Sequence, residues 1–172
     1  MATGKTSVAK LVARKLGKRY VSTDNLIVRK SKKTIAQIFD ENGEEAFRTF
    51  EVEVIEEVSK MENLVIDCGG GVIVNRINIE RLKQNGIIFL LTASLNIILE
   101  RNSREVGKRP LLRVGNQMDI VERLYNFRAP LYESSADYII NTTELSINQI
   151  AERVIEIMEG VRYKNASGSK KK

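Results

Sequence analysis

Apolar residues at Val8, Leu11, Val12 and Leu16 recur every three to four positions, which predicts a helix over Lys5–Leu16, closed by Gly17. Arg19–Thr23 reads as a short strand ending in polar residues. Thr34 is placed to cap a short helix through Phe39. Gly43–Met61 predicts a long helix with its stripe at Phe47, Phe50, Val54, Ile55 and Val58. Leu64–Cys68 is a β-branched apolar strand that runs straight into Gly69-Gly70-Gly71. Asn75–Asn85 follows as a helix stopped by Gly86, then Ile87–Leu91 as a strand buried on both faces. Ser94 caps a helix through about Arg104. The polar, basic stretch Glu105–Asn116 reads as a loop. Met118–Ala129 is a helix ended by Pro130, Asp137–Asn141 a strand, and Ser146 caps a last helix to Met158 with Gly160 beyond it.

Strands without polar alternation, separated by helices, argue for a parallel sheet covered on both faces, the α/β class. No internal repeat or linker interrupts the pattern. Residues 1–160 are therefore expected to form one domain, with 105–116 as an insertion on it and 161–172 as a basic, disordered tail. The longest apolar run, Ile87–Leu91, is far short of the roughly 20 residues of a membrane span. The single cysteine, Cys68, excludes an intramolecular disulfide and a Cys-rich zinc site. With no histidine in the chain, His-based metal sites, triads and acid–base chemistry are excluded too. An enzyme of this composition moves protons through carboxylates and holds anions with Arg, Lys and backbone amides. Of the +6 net charge, four lysines lie in Lys164–Lys172, so nucleic acid is not an expected partner.

Gly4-Lys5-Thr6 opens an amphipathic helix and matches the second half of G-x-x-x-x-G-K-[ST]. Free N–H groups at such a helix start capture phosphate, the lysine adds a point charge, and the Thr6 hydroxyl suits Mg²⁺. The tripeptide alone also recurs by chance. Three glycines directly after a strand let a ligand approach the backbone, or make an ordinary flexible turn. Asp24 is a candidate to orient or deprotonate a hydroxyl, or a simple cap. Arg48 lies one step around its helix from Phe47 and Phe50 and can grip a carboxylate, or lie along the surface. Lys108-Arg109-Pro110-Leu111-Leu112 holds an arginine suited to a transferring phosphoryl group, or is a solvated charge run. Arg128 ends a helix, where a cation also complements the dipole.

Taken together, GKTSVAKLVARKLG, STDNLI, IFDENGEEAFRTFE, CGGGV, KRPLL and RAPLYESSADYIINT resemble shikimate kinase, in that family's order from Ala2 to about Met158. The resemblance implies a P-loop NTPase fold of the nucleoside monophosphate kinase type. Its parallel sheet has the order 2-3-1-4-5, and strand 1 is missing from this chain. It implies transfer of the γ-phosphoryl of ATP to the 3-hydroxyl of shikimate with Mg²⁺. Gly4, Lys5, Thr6 and Ser7 match the phosphate loop, with Thr6 on the metal. Asp24 matches the aspartate at the reacting hydroxyl. Arg48, Gly70, Gly71 and Arg128 match the shikimate pocket, with both arginines on the carboxylate. Arg109 matches the arginine that closes over the phosphates, and Arg101 resembles the one flanking adenine. Lys5, Asp24 and Arg109 are the residues on which catalysis would rest.

Two features depart from the family pattern. Its usual Asp-x-Asp is here Ser22-Thr23-Asp24, without the first carboxylate, and Asp67 at the end of its strand is the candidate to replace it at the metal. The first P-loop glycine and the strand before it are absent, so the reading frame is expected to extend upstream of Met1 through an apolar strand. These departures leave a related kinase of the gluconate type, or a non-catalytic remnant, as alternatives. The expected state is a cytoplasmic monomer with ATP and shikimate as its partners and no membrane association.

Overall fold

The computed structural model describes residues 3–94, 96–98 and 117–168. Gly4 adopts φ 79°, ψ 12°, a left-handed turn that glycine takes without strain, and α1 (Lys5–Lys15) starts directly after it. The apolar stripe of α1 buries Val8, Ala9, Val12 and Ala13. β1 (Arg19–Ser22) leads into α2 (Thr23–Ser31), a helix that the apolar pattern did not show. The Ser22 hydroxyl caps α2 by accepting the Asn25 N–H at 3.4 Å.

α3 (Ile35–Ser59) opens with a capping box: the Gln37 N–H donates to Thr34 Oγ1 and the Thr34 N–H to Gln37 Oε1. It contains both helices expected from the pattern. They meet at Gly43, whose φ 77°, ψ 176° breaks the helical path. β2 (Leu64–Asp67) follows, then a single 3-10 turn at Val72–Val74 and α4 (Arg76–Asn85). β3 (Phe89–Thr92) precedes a helical turn at 96–98, where the Ile98 N–H donates to the Ser94 carbonyl at 3.0 Å. The chain continues with α5 (Gln117–Ser135), β4 (Tyr138–Asn141) and α6 (Ile147–Gly168).

Two helices run further than their sequences suggest. Pro130 does not end α5, which continues to Ser135. A proline removes one i→i−4 bond and crowds the preceding turn. Here the helix is pinned on both sides of it: Arg128 is buried before, and after it the Tyr132 hydroxyl is bonded to the Gly70 carbonyl. α6 likewise passes Gly160 and reaches Gly168, so residues 161–168 are helical where a disordered tail was expected. Glycine inside a helix costs only about 1 kcal/mol relative to alanine, too little to stop it.

β1 pairs with β2 and β3 with β4, both in parallel register; Ser22 stands opposite Asp67, and Thr92 opposite Asn141. Among the described residues no ladder joins β2 to β3. Residues of both strands line a cleft of about 1090 Å³. One core packs Ile27, Ile38, Phe47, Val54, Ile55 and Val58 of α2 and α3 over β1–β2. Another packs Val8 and Val12 of α1 against Ile140, Ile150 and Val154. Each fully buried aliphatic side chain contributes about 1.5–3 kcal/mol. α1 packs against both β2 and α6, and so ties the first pair of strands to the second core.

Candidate active site

The carboxyl ends of β1 and β2 meet the start of α1, which lines the cleft. The first bond within α1 runs from the Val8 N–H to the Gly4 carbonyl at 3.0 Å. The amides of Lys5, Thr6 and Ser7 therefore have no acceptor within the helix. Among the described residues no side chain caps this terminus, and no acidic residue stands in its first turn. Its positive end is left to attract an anion. Asp67, only 5% exposed, lies beside it. Lys5 Nζ donates to Asp67 Oδ1 at 2.8 Å, Thr6 Oγ1 to Oδ2 at 2.6 Å, and the Tyr20 hydroxyl to Oδ2 at 3.0 Å. Burial pushes the Asp67 carboxyl up, but the Lys5 charge and the bonds from Lys5, Thr6 and Tyr20 outweigh it and hold the group below its usual range. Tyr20 is pushed up to about 12 by burial and by its bond to this carboxylate.

The glycine triplet separates this end from a second group of charges. Thr23, fully buried, accepts the Gly69 N–H at 2.9 Å and so fastens the start of α2 to the triplet. A Cβ on Gly69 would collide with Asp24 Oδ1, and one on Gly71 with the Arg48 guanidinium. The missing side chains thus make room for two of the protein's own charged groups. Arg48 Nη1 donates to Glu51 Oε2 at 2.8 Å, and its Nη2 and Nε donate to Glu44 Oε1 at 2.7 and 3.2 Å. Glu51 is 1% exposed; burial pushes its carboxyl above the usual range, against the pull of Arg48. Arg128 is buried as well, and its Nε has no hydrogen-bond partner among the described residues. A buried guanidinium N–H without an acceptor is costly, and a ligand anion is a natural acceptor for it.

Gly4, Lys5, Thr6, Asp24, Arg48, Gly70, Gly71 and Arg128 all line this cleft, and Asp67 sits behind it, bonded to the lining residues Lys5 and Thr6. Ser7 lines it too, on the exposed side of the first turn of α1. Arg101 and Arg109, with Lys108 and the segment 105–116, lie outside the described residues. Glu51, Tyr20 and Tyr132 were missed by sequence reasoning. Glu51 alone carried a local signal: an acidic residue between Phe50 and Val54 on the apolar stripe, three positions after Arg48. Nothing near Tyr20 or Tyr132 in sequence announces Asp67 or Gly70 as a partner.

Residues 1–159 match the family model described as shikimate kinase. A shikimate kinase of Caldicellulosiruptor saccharolyticus is 45% identical over 157 residues, which cover 91% of this chain and 90% of the relative. That of Thermodesulfovibrio yellowstonii is 43% identical over 159 residues, 92% and 91% of the two chains. The solved shikimate kinase from Acinetobacter baumannii in complex with shikimate has a TM-score of 0.88 at 36% identity, with 93% of this chain and 89% of that one covered. For the enzyme from Aquifex aeolicus the TM-score is 0.80 at 29% identity, with 94% of each chain covered.

Proposed function

The chain belongs to the shikimate kinase family, and we propose that it works by moving the γ-phosphoryl of ATP to the 3-hydroxyl of shikimate across the glycine triplet. The observation that carries this reading is the convergence on one cleft of an uncapped helix start bearing Lys5, the half-buried Arg48 and the buried Arg128. The first suits a polyphosphate and the second a carboxylate.

The free amides of Lys5, Thr6 and Ser7 and the Lys5 ammonium hold the nucleotide phosphates. Arg128 and Arg48 take the substrate carboxylate; Arg48 keeps its orientation through Glu51 while it exchanges bonds now made to Glu44. Asp24, packed against Gly69, faces the reacting hydroxyl, orients it and accepts its proton. Arg109 is assigned to charge on the transferring group, and Arg101 to the adenine side. The Thr6 hydroxyl and the Asp67 carboxylate lie 2.6 Å apart at the helix start, an all-oxygen donor pair that fits Mg²⁺. When bound, Mg²⁺ supplies neutralisation of the phosphate charge. Among the described residues no helix is long and apolar enough to cross a membrane, and we assign the protein as a cytoplasmic monomer.

The test is ADP release coupled to oxidation of a reporter, with shikimate and gluconate compared as acceptors. Turnover with shikimate alone supports the reading. Preference for gluconate, or no turnover although both ligands bind, overturns it. Arg109→Ala should lower turnover far more than the affinity for either substrate, because its partner is charge that develops during transfer.

A further inference from the structure

Asp67 is bonded to a residue that the nucleotide also needs. Its Oδ1 accepts from Lys5 Nζ at 2.8 Å, while its Oδ2 accepts from Thr6 and Tyr20. On the reading above, Lys5 must turn to phosphate, and the carboxylate it leaves is 5% exposed. A buried carboxylate stripped of its cation is strongly destabilised unless another cation replaces the first. Nothing else in the ladder shares this burden, because the partner of Asp67 across the β1–β2 rung is the uncharged Ser22.

We propose that Asp67 is an exchange counter-ion: it holds Lys5 while the site is empty, and passes to the divalent cation when Lys5 moves to the nucleotide phosphates. Tyr20 keeps hold of Oδ2 throughout and so keeps the carboxylate in place. The exchange makes metal and nucleotide bind cooperatively. Without metal, the nucleotide competes with Asp67 for Lys5 and leaves a buried negative charge facing its phosphates. With metal, both charges are matched. The inference rests on the reading of the α1 end as the nucleotide site.

The exchange gives Asp67→Asn two effects of opposite sign, which loss of structure does not. ADP affinity is measured by calorimetry in EDTA and again with Mg²⁺, on the wild type and on Asp67→Asn. In the wild type, Mg²⁺ should tighten ADP by a factor within the roughly 5- to 150-fold range of coupled sites. In Asp67→Asn, ADP in EDTA should bind as tightly as in the wild type or tighter, since Lys5 is released. The gain on adding Mg²⁺ should shrink to about twofold or less. A variant that keeps the wild-type gain, or that binds ADP more weakly in EDTA, overturns the proposal. Shikimate titration of the same variant should give the wild-type affinity and reports that the fold is intact. Should Asp67→Asn fail to fold, Lys5→Met provides the second arm. With Lys5 gone, Asp67 lacks its cation, so Mn²⁺ alone, followed by electron paramagnetic resonance, should bind more tightly than to the wild type. Unchanged Mn²⁺ binding there overturns the exchange. A wild type that binds shikimate but not ADP under any condition would instead sink the nucleotide reading, and the exchange with it.

Discussion

Arg48 Nη1 donates to Glu51 Oε2 at 2.8 Å, one turn along the same helix, and the carboxylate it meets is only 1% exposed. The pair forms the floor on which Gly71 rests, because a Cβ at that glycine would overlap the guanidinium. Arg48 is therefore aimed before any ligand arrives. An arginine held in this way loses less freedom on binding a carboxylate than a mobile surface arginine would.

Replacing Arg48 with alanine should weaken shikimate binding by one to two orders of magnitude, since charge-assisted bonds are worth about 1.5–3 kcal/mol each. Nucleotide affinity should hold, because the Lys5 end lies beyond the glycine triplet. Titrating both ligands separately checks this; equal losses for the two would assign Arg48 a role in folding.

Gly71→Ala is a steric test of the same geometry. Gly71 has φ −97°, a value alanine also adopts, so the substitution brings no backbone strain. Its Cβ displaces the Arg48 guanidinium and should reduce shikimate affinity about as far as Arg48→Lys does. Gly70→Ala meets only the Tyr132 hydroxyl, at 3.2 Å, and should cost less. Reversal of that order would mean that Arg48 is not positioned through Gly71.

The raised pKa of Glu51 makes stability depend on pH with a definite sign. A carboxyl that holds its proton more tightly in the folded protein stabilises it below the ordinary glutamate pKa, and that contribution is lost as pH rises through the elevated value. Glu51→Gln resembles the protonated form. It should match the wild type in stability at pH values below the ordinary glutamate pKa, and gain on it progressively as pH rises above that. Asp67 behaves oppositely: its depressed pKa contributes stability above the ordinary aspartate range, lost as pH falls through the folded value. Urea melts of wild type, Glu51→Gln and Asp67→Asn across pH separate the two contributions.

Cys68 follows Asp67 directly, and burial pushes its thiol up to about 12. Only the thiolate is an effective nucleophile, so alkylation by iodoacetamide near neutral pH should be slow in the folded protein and rise to the rate of a free thiol in denaturant. Rapid labelling of the native protein would show that β2 opens readily at this end.

Local order along the chain was enough to locate α1, α4 and all four described strands: a 3.6-residue period marks the helices, and short runs bounded by polar residues or glycine mark the strands. The caps at Thr34 and Ser146 were legible for a similar reason: a hydroxyl followed three residues later by glutamine can satisfy N–H groups within one turn. The family motifs likewise singled out Lys5, Thr6, Asp24, Arg48 and Arg128, which the fold brings to the lining of one cleft. α2 escaped notice because its nine residues bury only Thr23 and Ile27, and it is held by packing on α3 more than by its own pattern. The passage of α5 through Pro130 also depended on contacts elsewhere, among them the bond from Tyr132 to Gly70 across 62 residues of chain. The partners of Asp67 lie 62, 61 and 47 positions away in sequence. No periodicity encodes which side chains meet across such separations. The parallel register of β1 and β2 and the seating of α1 against them decide it, and only the folded chain brings Lys5, Thr6 and Tyr20 onto one carboxylate.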